Sequence, residues 1–126
     1  MSEIAWVTLE YAEAVHDRQL AEHGGGAGTR DRGLLESALA RPQNLLHYGA
    51  PDLAALAAAY AFGIARNHPF VDGNKRTAWV AARLFLRLNG AELVFDKAEA
   101  TVMMQQLAAG DLAEEEVAAW FRERLG

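Results

Sequence analysis

Cysteine is absent from the chain, and with it go disulfides, thiol catalysis and every Cys-ligated zinc or iron–sulfur site. A cysteine-free acidic domain fits the cytosol. Proline is scarce, three residues in 126, against 26 alanines, the best helix former. Long apolar runs are missing too. The longest without a charge, Leu53 to Ala65, has 13 residues where a membrane span needs about 20. No basic-then-apolar leader pattern opens the chain, which has Glu3 near its start. Positive charge is in deficit: 12 Lys and Arg face 17 Asp and Glu, a net charge of −5. Nonspecific nucleic-acid binding needs the opposite balance. The expectation is one small helical domain, cytoplasmic, off the membrane and not a direct nucleic-acid binder.

Local signals place about six helices in an all-α fold. Thr8 caps a first helix running to about Ala21, with Tyr11, Ala12, Val15 and Gln19 near one face. A glycine-dense loop, Gly24 to Gly28, precedes a short second helix capped by Asp31 and carrying Leu34, Leu35, Ala38 and Leu39. Pro42 is expected to end that helix by Arg41, leaving Pro42 to Pro51 as a polar-aromatic connection with Asn44, His47, Tyr48 and Gly49. Asp52 caps a third helix to about Asn67, apolar nearly all round and so expected at the centre of a bundle.

A fourth helix, Lys75 to Asn89, is closed by Gly90. Trp79, Val80, Leu84, Phe85 and Leu88 are its core candidates, and Arg76, Arg83 and Arg87 form one stripe. Ala91 to Phe95 is a candidate for a single short strand. Asp96 with Glu99 opens a fifth helix ending at Gly110, and Asp111 with Glu114 repeats that capping spacing before a sixth. The expected architecture is one compact domain over residues 1–126 with two buried central helices.

Between those central helices lies His68-Pro69-Phe70-Val71-Asp72-Gly73-Asn74-Lys75-Arg76-Thr77. Gly73 and Asn74 let the backbone turn tightly into a helix N-terminus, whose free N–H groups and dipole favour an anion. Lys75 and Arg76 oppose that dipole, at about 0.3–1 kcal/mol each, which makes sense when a phosphate sits at the helix end. Asp72 places a carboxylate beside it, suited to a magnesium ion bridging phosphates. His68 can take a proton near neutral pH. Residues 66–91 carry five basic side chains and one acid, a local +4, so the other 100 residues carry −9. Taken singly, each residue has a plainer role: a structural histidine before proline, an Asp-Gly-Asn turn, two solvated cations. Their clustering points to a phosphate-handling site, and the charge island alone does not separate nucleotide from nucleic acid.

HPFVDGNKRT resembles the signature of the Fic/Doc family, specifically its Doc (death-on-curing toxin) branch. The Leu9–Asp17 helix ending in His-Asp, the stretch GTRDRGLLESALARP and the segment RLFLRLNG are similar as well, so nearly the whole chain takes part. The resemblance implies a helical fold with an ATP site at the motif loop. By position, His68 would be the general base that deprotonates a target hydroxyl and Phe70 the loop's buried anchor. Asp72 would bind Mg²⁺, while Asn74 and Arg76 would contact phosphate with backbone N–H groups from Gly73 onward. Arg66, two residues before His68, is a further phosphate candidate, with plain surface exposure as the other reading. His16 and Asp17 are candidates for lining the site. His47 and Tyr48 fall where Fic proteins carry a flap that docks the target.

The AMP-transferring Fic pattern is HPFxxGNGRxxR. Here Lys75 replaces its second glycine and Trp79 its second arginine. Both changes match Doc, in which the nucleotide binds in the reversed sense with the γ-phosphate facing the histidine. The resemblance therefore implies phosphorylation, with a threonine of elongation factor Tu as target and translation arrest as the consequence. It also implies a Phd-like antitoxin that folds as a helix into an apolar groove near the site, since no inhibitory [ST]xxxE[GN] segment is present. The alternatives are AMP or nucleotidyl transfer to a protein hydroxyl, and a catalytically silent nucleotide- or protein-binding module.

Overall fold

A computed structural model describes residues 3–126. Among them are six helices: α1 (Leu9–His23), α2 (Arg32–Tyr48), α3 (Leu53–Asn67), α4 (Asn74–Leu88), α5 (Lys97–Ala109) and α6 (Glu114–Glu123). The all-α expectation holds. Four N-termini follow the capping logic of the sequence. Thr8, Asp31, Asp52 and Asp96 each accept a hydrogen bond from the backbone N–H three residues on. Asp52 also pairs with Arg122 of α6 at 2.6 Å, and the hydrogen bond from that guanidinium holds its carboxyl below the usual range.

Helix α3 is the axis of the molecule, packed against α2, α4, α5 and α6. Ten of its residues are buried, six of them alanine, and these short side chains let the surrounding helices approach closely. Helix α4 is the less buried of the two central helices. It buries one stripe, Asn74, Thr77, Ala78, Ala81, Ala82, Phe85 and Leu86, which is the spacing of a single apolar face. Leu88 is exposed and Val80 half-buried, while Trp79 packs edge-on against Phe95 and Trp120. Arg83 lies over the rings of Trp79 and Phe95 at 5.6 and 5.0 Å, so one cation of the arginine stripe covers aromatic surface. The segment before α1 is fastened across the bundle. Tyr60 Oη accepts from the Val7 N–H at 2.9 Å, and Asn89 exchanges two hydrogen bonds with the backbone of Ala5.

Three local expectations are corrected. Helix α2 does not stop at Arg41 but runs through a buried Pro42 to Tyr48. Proline in a helix removes the donor that would serve the carbonyl four residues back, here that of Ala38, and costs about 3 kcal/mol. The α2–α3 contact offsets it. Gly63 meets α2 at this point, and a Cβ there would stand 3.1 Å from both Cα and O of Ala38, so the freed carbonyl faces a backbone that only glycine brings so near. Ala91 to Phe95 is no strand; it contributes one isolated bridge, Leu93 with Leu125, because its partner is only the short non-helical segment after α6, met by Val94 N–H to Arg124 O and Gly126 N–H to Glu92 O. Asp111 does not cap α6. The helix begins at Glu114, and the side chain of Glu116 reaches back to the Ala113 N–H at 2.9 Å.

Candidate active site

The turn from α3 to α4 is held in a conformation its sequence would not choose alone. His68, the C-cap of α3, is left-handed (φ 51°, ψ 54°), the one non-glycine residue with positive φ among those described. Helical backbone is further disfavoured before a proline, so this residue stores about 1–3 kcal/mol of strain. Hydrogen bonds on both sides fix it. Its N–H closes the last turn of α3 on Ile64 O at 3.3 Å. Its own carbonyl accepts from Arg30 Nε at 2.8 Å, and Arg30 Nη2 donates to Asn67 O at 3.0 Å. The His68 side chain is exposed.

The α1–α2 loop forms a second wall. Thr29 and Phe70 make an antiparallel bridge, Arg30 and Asp31 both donate backbone N–H to Pro69 O, and Val71 donates to Gly28 O. Phe70 is buried, as an anchor should be. Beneath it lies His16, whose ring stacks on Phe70 with centroids 3.8 Å apart and planes 7° from parallel. His16 Nε2–H donates to Asp72 O at 2.8 Å. His16 therefore belongs to the site as a buried support under the loop, whereas Asp17 next to it is exposed. The inward face of α1 is Ala12, His16 and Gln19, and Val15 is only half-buried. Asn74 turns inward. Its side chain is buried and turned back onto the loop, with Oδ1 accepting from Phe70 N at 2.9 Å and Nδ2 donating to Phe70 O at 3.0 Å. It shapes the loop, and its amide does not reach outward to phosphate.

Asp72 is exposed at the mouth. Its Oδ1 accepts from Gly73 N at 2.8 Å and its Oδ2 from Gly26 N at 3.4 Å, both from backbone. The glycine-dense loop is needed for this approach: Gly25 has φ +121°, and a Cβ on it would sit 2.8 Å from Asp72 Oδ2. Gly73 (φ 76°) then turns the chain into α4, and as the N-cap it offers no side chain to the N–H groups of the first turn. The first ladder bond of α4 is Thr77 N–H to Gly73 O, which leaves the N–H groups of Asn74, Lys75 and Arg76 outside the helix ladder. Lys75 and Arg76 are exposed and, among the described residues, form no ion pair. An open helix N-terminus, two free cations, a carboxylate and an exposed imidazole are thus gathered on one loop. That arrangement can hold an anion of several negative charges and take a proton beside it.

The remaining candidates lie elsewhere. Arg66 stands over the ring of Phe62 at 5.2 Å, and its guanidinium lies against Gly110, where α5 ends. His47 and Tyr48 belong to the last turn of α2 rather than to an extended connection, packed edge to face with each other, and Tyr48 is 86% exposed. Two surface cavities lie away from the loop: one between α5 and α6, about 510 Å³ around Val102, Met103 and Trp120, and one beside the end of α2, about 400 Å³ around Leu45 and Tyr48. Neither is lined by a residue of the loop. The residue that sequence reasoning missed is Arg30. It sits within the stretch GTRDRG, but nothing local reveals that its partners are 37 and 38 residues away.

Residues 6–86 match the Fic/DOC family. Over 101 residues the chain is 46% identical to "Toxin Doc" of Mycolicibacterium smegmatis, covering 76% of this chain and 77% of that protein. Over 121 residues it is 38% identical to "Protein kinase doc" of Escherichia phage P1, covering 95% of each.

Proposed function

The chain belongs to the Fic/DOC family, and from that premise we propose that it is a Doc-type toxin that transfers the γ-phosphoryl group of ATP to a protein hydroxyl. The observation that carries this reading is the open first turn of α4, with Lys75 and Arg76 unpaired beside an exposed His68. Phosphoryl transfer asks little covalent chemistry of a protein and much positioning and charge neutralisation. The N–H groups of the first turn and the two cations supply the neutralisation. His68 takes the proton of the attacking hydroxyl as the new O–P bond forms and the bond to the departing diphosphate breaks, help worth about 10²–10⁴-fold.

Asp72 would hold Mg²⁺, which supplies charge neutralisation between phosphate oxygens. Its residues fit that ion. Each carboxylate oxygen accepts one backbone N–H, so outward lone pairs remain, and Mg²⁺ bound through a single carboxylate takes its other ligands from phosphate and water. Lys75 in place of a glycine fills space at the helix start that an AMP-transferring orientation leaves for phosphate, which favours presenting the γ-phosphate to His68. Arg66 would join the phosphates only by leaving Phe62. The names of the two relatives, a toxin and a protein kinase, agree with this reading. The family resemblance adds a threonine of elongation factor Tu as target, translation arrest as effect, a Phd-like antitoxin as partner and the cytoplasm as location. No helix among the described residues is long and apolar enough to cross a membrane.

The decisive experiment incubates the protein with the translation factor and ATP labelled separately at the γ- and α-phosphate. Label from the γ position alone is expected on the target, and none with His68→Ala. Label from the α position would replace this reading by nucleotidyl transfer, and no label with either would leave a binding module.

A further inference from the structure

We infer that Arg30 is a positioning residue for His68, acting through the backbone that carries the imidazole. This rests on His68 being the proton acceptor in the reading above. The two carbonyls that Arg30 binds, those of Asn67 and His68, are the last two of α3 and its cap, where the helix leaves acceptors unserved and the dipole is negative. A guanidinium fork meets two adjacent acceptors at once, which a lysine ammonium on a flexible stem does not reproduce.

What the fork opposes is specific. His68 is left-handed and precedes Pro69, and a residue in that position favours extended backbone. Released from Arg30, it would relax toward that region and swing its imidazole off the mouth of α4. The clamp is itself anchored, because the backbone N–H groups of Arg30 and Asp31 both donate to Pro69 O, at 2.7 and 3.0 Å. Thus the guanidinium and the backbone of one residue grip the chain on both sides of the His68–Pro69 bond. No other described side chain hydrogen-bonds the His68 backbone. Arg30 is exposed, so replacing it opens no cavity in the core.

The test compares wild type with Arg30→Ala, Arg30→Lys and, as a control, Arg32→Ala, which removes a nearby cation paired only with Glu36. Misplacing a reacting group by an ångström costs about 100-fold, so kcat is expected to fall by about 10–100-fold in Arg30→Ala with KM for ATP little changed. Arg30→Lys should recover only part of that loss, added guanidinium should restore part of it to Arg30→Ala, and Arg32→Ala should match wild type. The ¹³Cα and ¹³Cβ shifts of His68 should move from left-handed toward extended values in Arg30→Ala, with changes confined to residues near the loop. Wild-type kcat in Arg30→Ala, or a lost kcat with His68 shifts unmoved, would overturn the inference. So would a loss that guanidinium does not relieve and that accompanies shifts throughout the molecule. Should wild type itself transfer no phosphate, the functional reading falls while the His68 shifts still decide whether Arg30 holds that backbone.

Discussion

At the scale of single residues, the site separates into groups that face solvent and groups that hold them there. His68, Asp72, Lys75 and Arg76 are exposed, whereas His16, Phe70 and Asn74 are buried directly beneath or beside them. The exposed set stands together in the sequence, because a loop entering a helix N-terminus is a local arrangement of consecutive residues. The sequence says less about the buried set. The family resemblance implies a phosphate contact for Asn74, whereas the side-chain amide is spent on both backbone groups of Phe70. Asn74→Ala leaves a buried N–H and C=O without partners, and a loss on the order of 1–3 kcal/mol of stability is expected. Denaturant midpoints measure it, and an unchanged midpoint would return Asn74 to the phosphate. His16 is named as a site-lining candidate only through the family resemblance, because the ring that covers it, Phe70, is 54 positions away and no local pattern pairs them.

Among the elements, N-terminal caps are legible at Thr8, Asp31, Asp52 and Asp96, each of which bonds the N–H three residues on, but not at α6, where Asp111 stands too far from the helix start. Nor is the end of α2. Its passage through Pro42 depends on Gly63 of α3, a partner that no local rule links to it. Gly63→Ala tests that dependence. The added Cβ would lie 2.9 Å from Arg41 Cδ and 3.1 Å from Ala38 O, pushing α2 and α3 apart. Alanine gains about 1 kcal/mol of helix propensity over glycine, while overpacking costs about 1–3 kcal/mol. A net destabilisation is expected, read from thermal unfolding, and a stabilised variant would show that the close contact is not required.

Across the whole molecule, α3 carries the core, and the segments at its ends carry function and closure. One end presents His68. Near its middle, Tyr60 ties down the segment before α1 through Val7. Burial pushes the Tyr60 phenol up to about 12 from 10.0, because the charged form has no water around it. Its contribution to stability is therefore complete below pH 10 and lost as pH rises through about 12. Unfolding midpoints should fall across that window, and Tyr60→Phe, less stable at neutral pH, should lose less of its remaining stability there. Equal slopes would assign the alkaline loss to other groups.

Overall charge was legible in sign but not in use. Of the five basic residues between 66 and 91, Arg66 and Arg83 lie over aromatic rings, and Lys75 and Arg76 stand free at the start of α4. Phosphates seated on that first turn would perturb a defined set of nuclei. Titrating the ¹⁵N-labelled protein with ATP and Mg²⁺ should move the backbone N–H signals of Gly73 to Arg76 most, and Lys75→Ala should weaken that response. Signals that shift around the α5–α6 cavity while those of Asn74, Lys75 and Arg76 stay fixed would place the nucleotide elsewhere and remove the basis for phosphoryl transfer at His68.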